Sequence, residues 1–262
     1  MTLCKKELRQ GLLPLCIWTG ATALMLLVCV LLFPEMREEM DEVSQIFANM
    51  GGFSAAFGMD RVSFGELMGF YGVECGNILG IGGGFFAAYV GITLLSKEEK
   101  DRTAEFLLTH PISRNYVVAQ KLLAGLIQVI LLNVIVFAIS GLSILLIGEQ
   151  ASWNLLGLLH LAYLLMQIEV FCLTFAVSAF LSRGSVGIGL GIAAVFYFLN
   201  IIRNLTEQAG FLRYLTPYAY AEAADIISEE QLSLELILLG ILVSIVAVVI
   251  SFLRYGRKDV RC

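Results

Sequence analysis

The sequence predicts an all-α, polytopic membrane protein with six transmembrane helices. Three observations carry that prediction. Of its 262 residues, 58% are hydrophobic and the mean hydropathy is +0.84, against roughly 45–50% apolar content in a soluble domain. The apolar residues gather into six runs, each near the about 20 residues needed to cross hydrocarbon as a helix. The 17 Lys and Arg also segregate by side: with both termini inside, 13 face the cytoplasm and four (Arg37, Arg61, Arg203, Arg213) lie in outer loops, the bias that orients membrane proteins. The whole of 1–262 reads as one membrane domain, with too little polar sequence for a separate soluble one.

Residues 2–10 carry Lys5, Lys6 and Arg9 beside Leu3 and Leu8. They read as an interfacial helix along the membrane surface. The apolar run behind them is long enough to span and has no small-residue cleavage site, so no cleavable signal is expected. The first span is 12–33, with Pro14 near its start, where proline is tolerated. Residues 34–66 form a polar connection, acidic from Glu35 to Glu42 and then Gly-rich. The acidic run is expected to form a short exposed helix. The second span, 69–95, carries Gly72, Gly76, Gly80 and Gly84 at four-residue spacing, a small-residue stripe that lets another helix approach closely in lipid. The cluster Gly80–Gly84 has no Lys and lies inside a span, so it is not a phosphate loop.

Residues 96–114 are the most charged stretch. Ser96 and Glu99 have capping-box spacing, Glu98 and Asp101 suit a helix N-terminus, and Glu98 precedes Arg102 by four. Ala104, Leu107 and Leu108 share an apolar face, and Pro111 ends the helix. A helix over 97–109 spans roughly 20 Å. It reads either as an interfacial connector or as a docking helix for a soluble partner. The third span is 116–147 and the fourth 155–181, separated by a turn at 148–153. After a tight turn at Ser182, Arg183 and Gly184, the fifth span is 186–202, with Gly187 and Gly191 again four apart. A second outer segment, 203–235, precedes the last span at 234–253, and Arg254, Arg257, Lys258 and Arg261 close the chain.

The pattern Ser96-Lys-Glu-Glu-Lys-x-x-Thr-x-Glu-x-Leu-Leu-x-x-Pro-Ile-Ser-Arg114, followed by Lys121-Leu-Leu, resembles the signature after the second span of type 2 ABC exporter permeases. The matching positions are Glu98, Glu99, Thr103, Glu105, Leu107, Leu108, Pro111, Ser113, Arg114 and Lys121. The family often has Gly where this chain has Arg102. Tyr214-Leu-Thr-Pro-Tyr-Ala-Tyr220 resembles its aromatic-proline segment. The resemblance implies that 97–109 is a coupling helix, seated on a cytoplasmic ATPase through Glu98, Glu99, Arg102, Thr103, Glu105, Leu107, Leu108, Pro111 and Arg114. It also implies an N-terminal elbow helix and a second permease subunit, identical or homologous. Two copies of an ATPase chain would bind ATP and Mg. For this chain it implies no cofactor of its own, no nucleic-acid partner, and a multi-pass place in the plasma membrane.

Glu169, mid-way through the fourth span, is the ionisable group most costly to hold in lipid, and by default functional. The alternative is a protonated or hydrogen-bonded side chain buried between helices. His160 and Gln167 share its helix, with His160 on a different face. Glu74 and Asn77 lie in the outer half of the second span, and Gln128, Asn133 and Asn200 suit interhelical hydrogen bonds. The six cysteines show no CxxC, so neither a disulfide framework nor a zinc site is suggested. HExxH and Walker A are both absent from the sequence, so the chain is not expected to be an enzyme or to hydrolyse ATP itself. The expected function is the membrane subunit of an ATP-driven exporter. The alternatives are an ion-coupled carrier or channel using Glu169, and a structural or immunity membrane protein with no flux.

Overall fold

The computed structural model describes residues 2–100, 112–182 and 185–258. Among the described residues, six helices are long and apolar enough to cross a membrane: Leu3–Arg37, Leu67–Leu94, Arg114–Ile147, Trp153–Phe180, Val186–Leu205 and Leu234–Gly256. They are spans 1 to 6 below. Spans 2 and 4 form the centre, their most apolar windows being 61% and 67% buried against 17–33% for the other four. Span 1 packs on span 3, span 5 on span 2, and span 6 on span 4. The outward apolar faces of these four need no protein cover, because lipid is as apolar as they are. The end that carries residues 2 and 258 is the terminal end, and the opposite one the far end.

Several boundaries differ from the expectation. The interfacial helix, the first span and the acidic helix are not three elements but one helix, Thr2–Asn49, running through Pro14 and Pro34. In hydrocarbon every backbone group must be satisfied within the segment, which favours continuing a helix over breaking it. Span 2 is not uniform: Leu67–Phe70 leads into a π-turn at Tyr71–Cys75 and then a regular helix, Gly76–Leu94. π-turns are rare and collect at functional sites. Span 3 ends at Gly148, whose φ of 70° is the left-handed cap that glycine adopts without steric cost. At that end Arg37 and Glu149 pair at 3.0 Å, joining span 1 to the turn between spans 3 and 4. Span 5 runs on to Leu205 and span 6 to Gly256, a few residues beyond the expected ends.

The segment between spans 5 and 6 is folded rather than extended. Two 3₁₀ turns, Glu207–Tyr214 and Pro217–Ala221, precede a short helix, Ala223–Glu229. Thr216 starts the second turn: its hydroxyl accepts from the Tyr218 amide and donates to the Phe196 carbonyl at 2.7 Å. Every residue of 217–221 is buried. The Tyr218 hydroxyl reaches the Gly80 carbonyl of span 2 at 3.2 Å, so the segment dips back into the bundle.

That placement shows what packs on the glycine stripe. A Cβ on Gly76 would meet the Tyr163 hydroxyl at 2.5 Å, one on Gly80 the same ring at 3.3 Å, and one on Gly84 would collide with the Tyr218 hydroxyl. Gly72 receives Ile227 and Ala223. The stripe is therefore a groove that receives two tyrosine rings, one of them from span 4, and the helix Ala223–Glu229. Close backbone approach falls at Gly91, where a Cβ would stand 2.6 Å from the Phe171 carbonyl of span 4. In span 5 it falls on Gly189, 2.9 Å from the Ala88 carbonyl, instead of on Gly187 or Gly191. Gly187 would meet only the nearby Ser185 hydroxyl, and Gly191 faces open space within this chain, because the face of span 5 turned to span 2 carries Gly189.

Candidate functional site

At the terminal end, charged side chains from four parts of the chain converge. Span 2 closes with Leu95 and Ser96. The Leu95 amide donates to the Ser178 hydroxyl of span 4 at 3.2 Å. The Ser96 hydroxyl donates back to the Ile92 carbonyl at 2.9 Å, so it finishes span 2 instead of completing the expected capping box. The next turn, Lys97–Lys100, is helical. Of the expected contact surface, Arg102, Thr103, Glu105, Leu107, Leu108 and Pro111 lie outside the described residues.

Glu98 and Glu99 are described, and both turn inward. The Glu98 carboxylate takes the Lys121 ammonium of span 3 at 2.5 Å. The side chain of Lys121 is 0% exposed, and it also donates to the Leu94 carbonyl at 2.5 Å and lies 3.4 Å from Glu7. Glu7, equally buried, pairs with Lys97, which also donates to the Gln10 side-chain oxygen Oε1 at 2.8 Å. Glu99 pairs with Lys258 at 2.6 Å, both 5% exposed, and Lys258 donates to the Leu181 carbonyl at 2.7 Å. Arg114, at the start of span 3, donates to the carbonyls of Gly256 at 3.3 Å and Lys258 at 2.5 Å. There it satisfies carbonyls left open at the end of span 6, where a cation also suits the helix dipole.

Three of the residues assigned to an ATPase contact, Glu98, Glu99 and Arg114, are thus engaged within the chain. The physical reason is burial: a carboxylate taken out of water needs a cation, and Lys121 and Lys258 supply one each. Lys121 was visible as part of the Lys-Leu-Leu match; Glu7, the one acidic residue among residues 2–10, was missed, although its charge in a basic opening is a signal. Nothing local to the sequence signals that Lys258, some 160 residues away, reaches Glu99. The pairing is incomplete: Glu7 Oε1, Glu98 Oε2 and Glu99 Oε2 are buried without a hydrogen bond. A cavity of about 320 Å³ adjoins the cluster, lined by Glu7, Gln10, Tyr89, Thr93, Lys97 and Gln128 among others.

Glu169 is placed between spans 4 and 6. Its Oε2 accepts from the Tyr220 hydroxyl at 2.9 Å, and a Cβ on Gly240 of span 6 would collide with that oxygen. Burial, and then the carboxylate beside it, push the Tyr220 phenol well above its ordinary value, so it remains the donor. Burial also pushes the Tyr218 phenol up. His160 belongs to a separate network, its Nε2 2.7 Å from the Tyr71 hydroxyl, which donates to Ser140 at 2.8 Å. Asn133 donates to Gln167 at 2.7 Å between spans 3 and 4, and Tyr197 to Asn77 at 3.2 Å between spans 5 and 2. Gln128 donates to the Ala124 carbonyl of its own helix at 3.3 Å, and among the described residues no interhelical bond is seen for it.

The far end has its own polar cluster, of which sequence reasoning marked Asn200, as a hydrogen-bonding residue, but not its partner Glu222 or Asp225. Asn200 and Asn204 both donate to Glu222, at 2.8 and 2.9 Å. Asp225 takes Arg203 at 3.0 Å and pairs with Arg61. These contacts tie the loop before span 2 to span 5 and to the buried turn. Beside them opens a cleft of about 730 Å³, with Tyr220 in its wall.

Among the described residues no His, Cys, Asp and Glu gather as a metal site. Comparison with curated proteins gives no match. The family model described as ABC-2 family transporter protein matches residues 1–260. With six apolar helices and nearly the whole length matched, the chain belongs to the ABC-2 transporter family, as a multi-pass membrane permease subunit of an ABC transporter.

Proposed function

We propose that this chain is the transmembrane half of an ATP-driven exporter. Two permease subunits, identical or homologous, enclose the pathway, and two separate ATPase chains bind ATP and Mg and drive it. The observation that carries the reading is the family match over 1–260, joined to a charged stretch that follows span 2 on the side of the termini. The 13-to-4 distribution of basic residues supports a cytoplasmic position for that side, and the membrane in this reading is the plasma membrane. Closure of the ATPase pair would then push on the stretch at 97–109 and tilt the spans. An inter-subunit cavity would turn from inward-facing to outward-facing.

Within this reading Glu98, Glu99 and Arg114 hold the stretch to the bundle. The outer contact belongs to Arg102, Thr103, Glu105, Leu107, Leu108 and Pro111. Purification of the tagged chain in mild detergent, followed by mass spectrometry, tests it. The expected companion is a soluble protein with GxxxxGK[ST], recovered in comparable amount and lost in Leu107→Asp and Glu105→Lys. A chain that purifies alone, even after crosslinking, removes the exporter reading and makes Glu169→Gln in an ion-gradient flux assay the next measurement.

A further inference from the structure

Glu98 and Glu99 are consecutive residues on a helical turn, so their side chains leave the axis about 100° apart. One reaches Lys121 in span 3, beside Glu7 of span 1; the other reaches Lys258, beyond the end of span 6. Lys258 continues to the Leu181 carbonyl at the end of span 4, and its own carbonyl is held by Arg114. The first turn after span 2 is therefore gripped from two sides by separate ion pairs.

We propose that Glu98–Lys121 and Glu99–Lys258 form a two-armed clamp, with Lys121 and Lys258 as positioning residues of the transport cycle. One arm hands displacement of the stretch opening at Lys97 to spans 1 and 3. The other hands it to the ends of spans 4 and 6. The inference rests on the exporter reading and adds how a push at one place reaches opposite sides of the bundle. Both pairs are buried, so salt screens them little. Each carboxylate keeps one oxygen without a hydrogen bond, so an ammonium can slide from one oxygen to the other without leaving its partner. That gives a joint that yields in angle while holding in length.

The test needs no knowledge of the transported substrate. The complex is purified with its accompanying ATPase, in a background without native cysteines. Spin labels are attached at Leu146→Cys and Leu234→Cys, exposed far-end positions (74% and 71%) on spans 3 and 6. Their separation is measured by electron–electron resonance before and after trapping with ATP and vanadate. The parent is expected to shift on trapping. Lys121→Met and Lys258→Met are expected to trap vanadate as the parent does and to lose at least half of that shift. The exchanged pair Glu99→Lys/Lys258→Glu is expected to regain it. A purely structural role would lower the yield of complex and leave the shift per trapped complex unchanged. Should Lys121→Met fail to fold, Lys258→Met decides alone, since it alters a side chain beyond the last span. A parental shift that persists in full in Lys258→Met overturns the clamp and leaves the exporter reading standing. A parent that traps vanadate without any shift overturns the exporter reading itself.

Discussion

Single residues in this bundle are held by few but specific partners. Among the described residues Glu169 has one hydrogen bond, from Tyr220, so Tyr220→Phe leaves a buried carboxyl oxygen unpaired. The expected loss is about 1–3 kcal/mol of stability, read as a lower thermal unfolding midpoint in detergent. The double variant Tyr220→Phe/Glu169→Leu should recover most of it, because no polar group is then stranded. Gly84→Leu drives a branched side chain into the Tyr218 hydroxyl, and overpacking of this kind costs about 1–3 kcal/mol. Asn133→Ala removes an interhelical bond to Gln167, for which about 0.6 kcal/mol is the usual worth inside a membrane. The sequence marks Glu169, Asn133 and Gln167, because polar groups in apolar runs are conspicuous. It does not mark Tyr220 as a partner, because that contact exists only once the 217–221 turn folds back 51 residues along the chain.

Elements show the same divide between local and distant causes. The helices of spans 2 to 6 end within a few residues of the expected bounds, since lipid forces every crossing segment to be long, apolar and helical, whereas the expected 12–33 is only the middle of the first helix. The joining of 2–10, span 1 and the acidic run into one helix was not legible, because Pro14, Pro34 and the charges signal breaks that a continuing ladder overrides. The glycine stripe was legible as a feature, yet its occupants, Tyr163 and Tyr218, come from other elements. The turn at Lys97–Lys100 depends on Lys121, whose removal leaves Glu7 and Glu98 buried near each other with no shared cation. Lys121→Ala is therefore expected to cost about 3–5 kcal/mol, as breaking one side of a buried ion pair does. A chemical-unfolding midpoint close to that of the parent would contradict it.

Across the whole molecule, two ionic clusters close opposite ends of an apolar bundle. The terminal-end cluster joins spans 1, 2, 3, 4 and 6; the far-end one joins the loop before span 2, span 5 and the buried turn. At about 1.5 Å per residue the 48-residue first helix is some 70 Å long, against a hydrocarbon core of about 30 Å. Its far end thus projects well beyond the bilayer, with Ile46 and Met50 exposed. Cysteines at Ile46, Leu146 and Leu234 should react with a membrane-impermeant maleimide added to intact cells. Cysteines at Lys5 and Arg257 should react only after permeabilisation. The reverse pattern would turn the molecule over and place the 97–109 stretch outside. The charge distribution is what predicts this orientation; the architecture of the 206–229 segment did not show in the sequence, since its burial comes from the groove it fills.

The π-turn at Tyr71–Cys75 makes span 2 tolerant of a change in length at one place. A π-turn holds one residue more than the α-turn it replaces, with the helix on either side keeping its phase. Deleting Val73 should let the ladder close as ordinary helix, with Tyr71 still turned to His160 and Gly76 still under Tyr163. A one-residue deletion anywhere in Gly76–Leu94 should instead rotate the remainder by about 100°, carrying the groove off the tyrosine rings. In a scan of single deletions along this span, folded protein is expected to survive at the π-turn and nowhere below it.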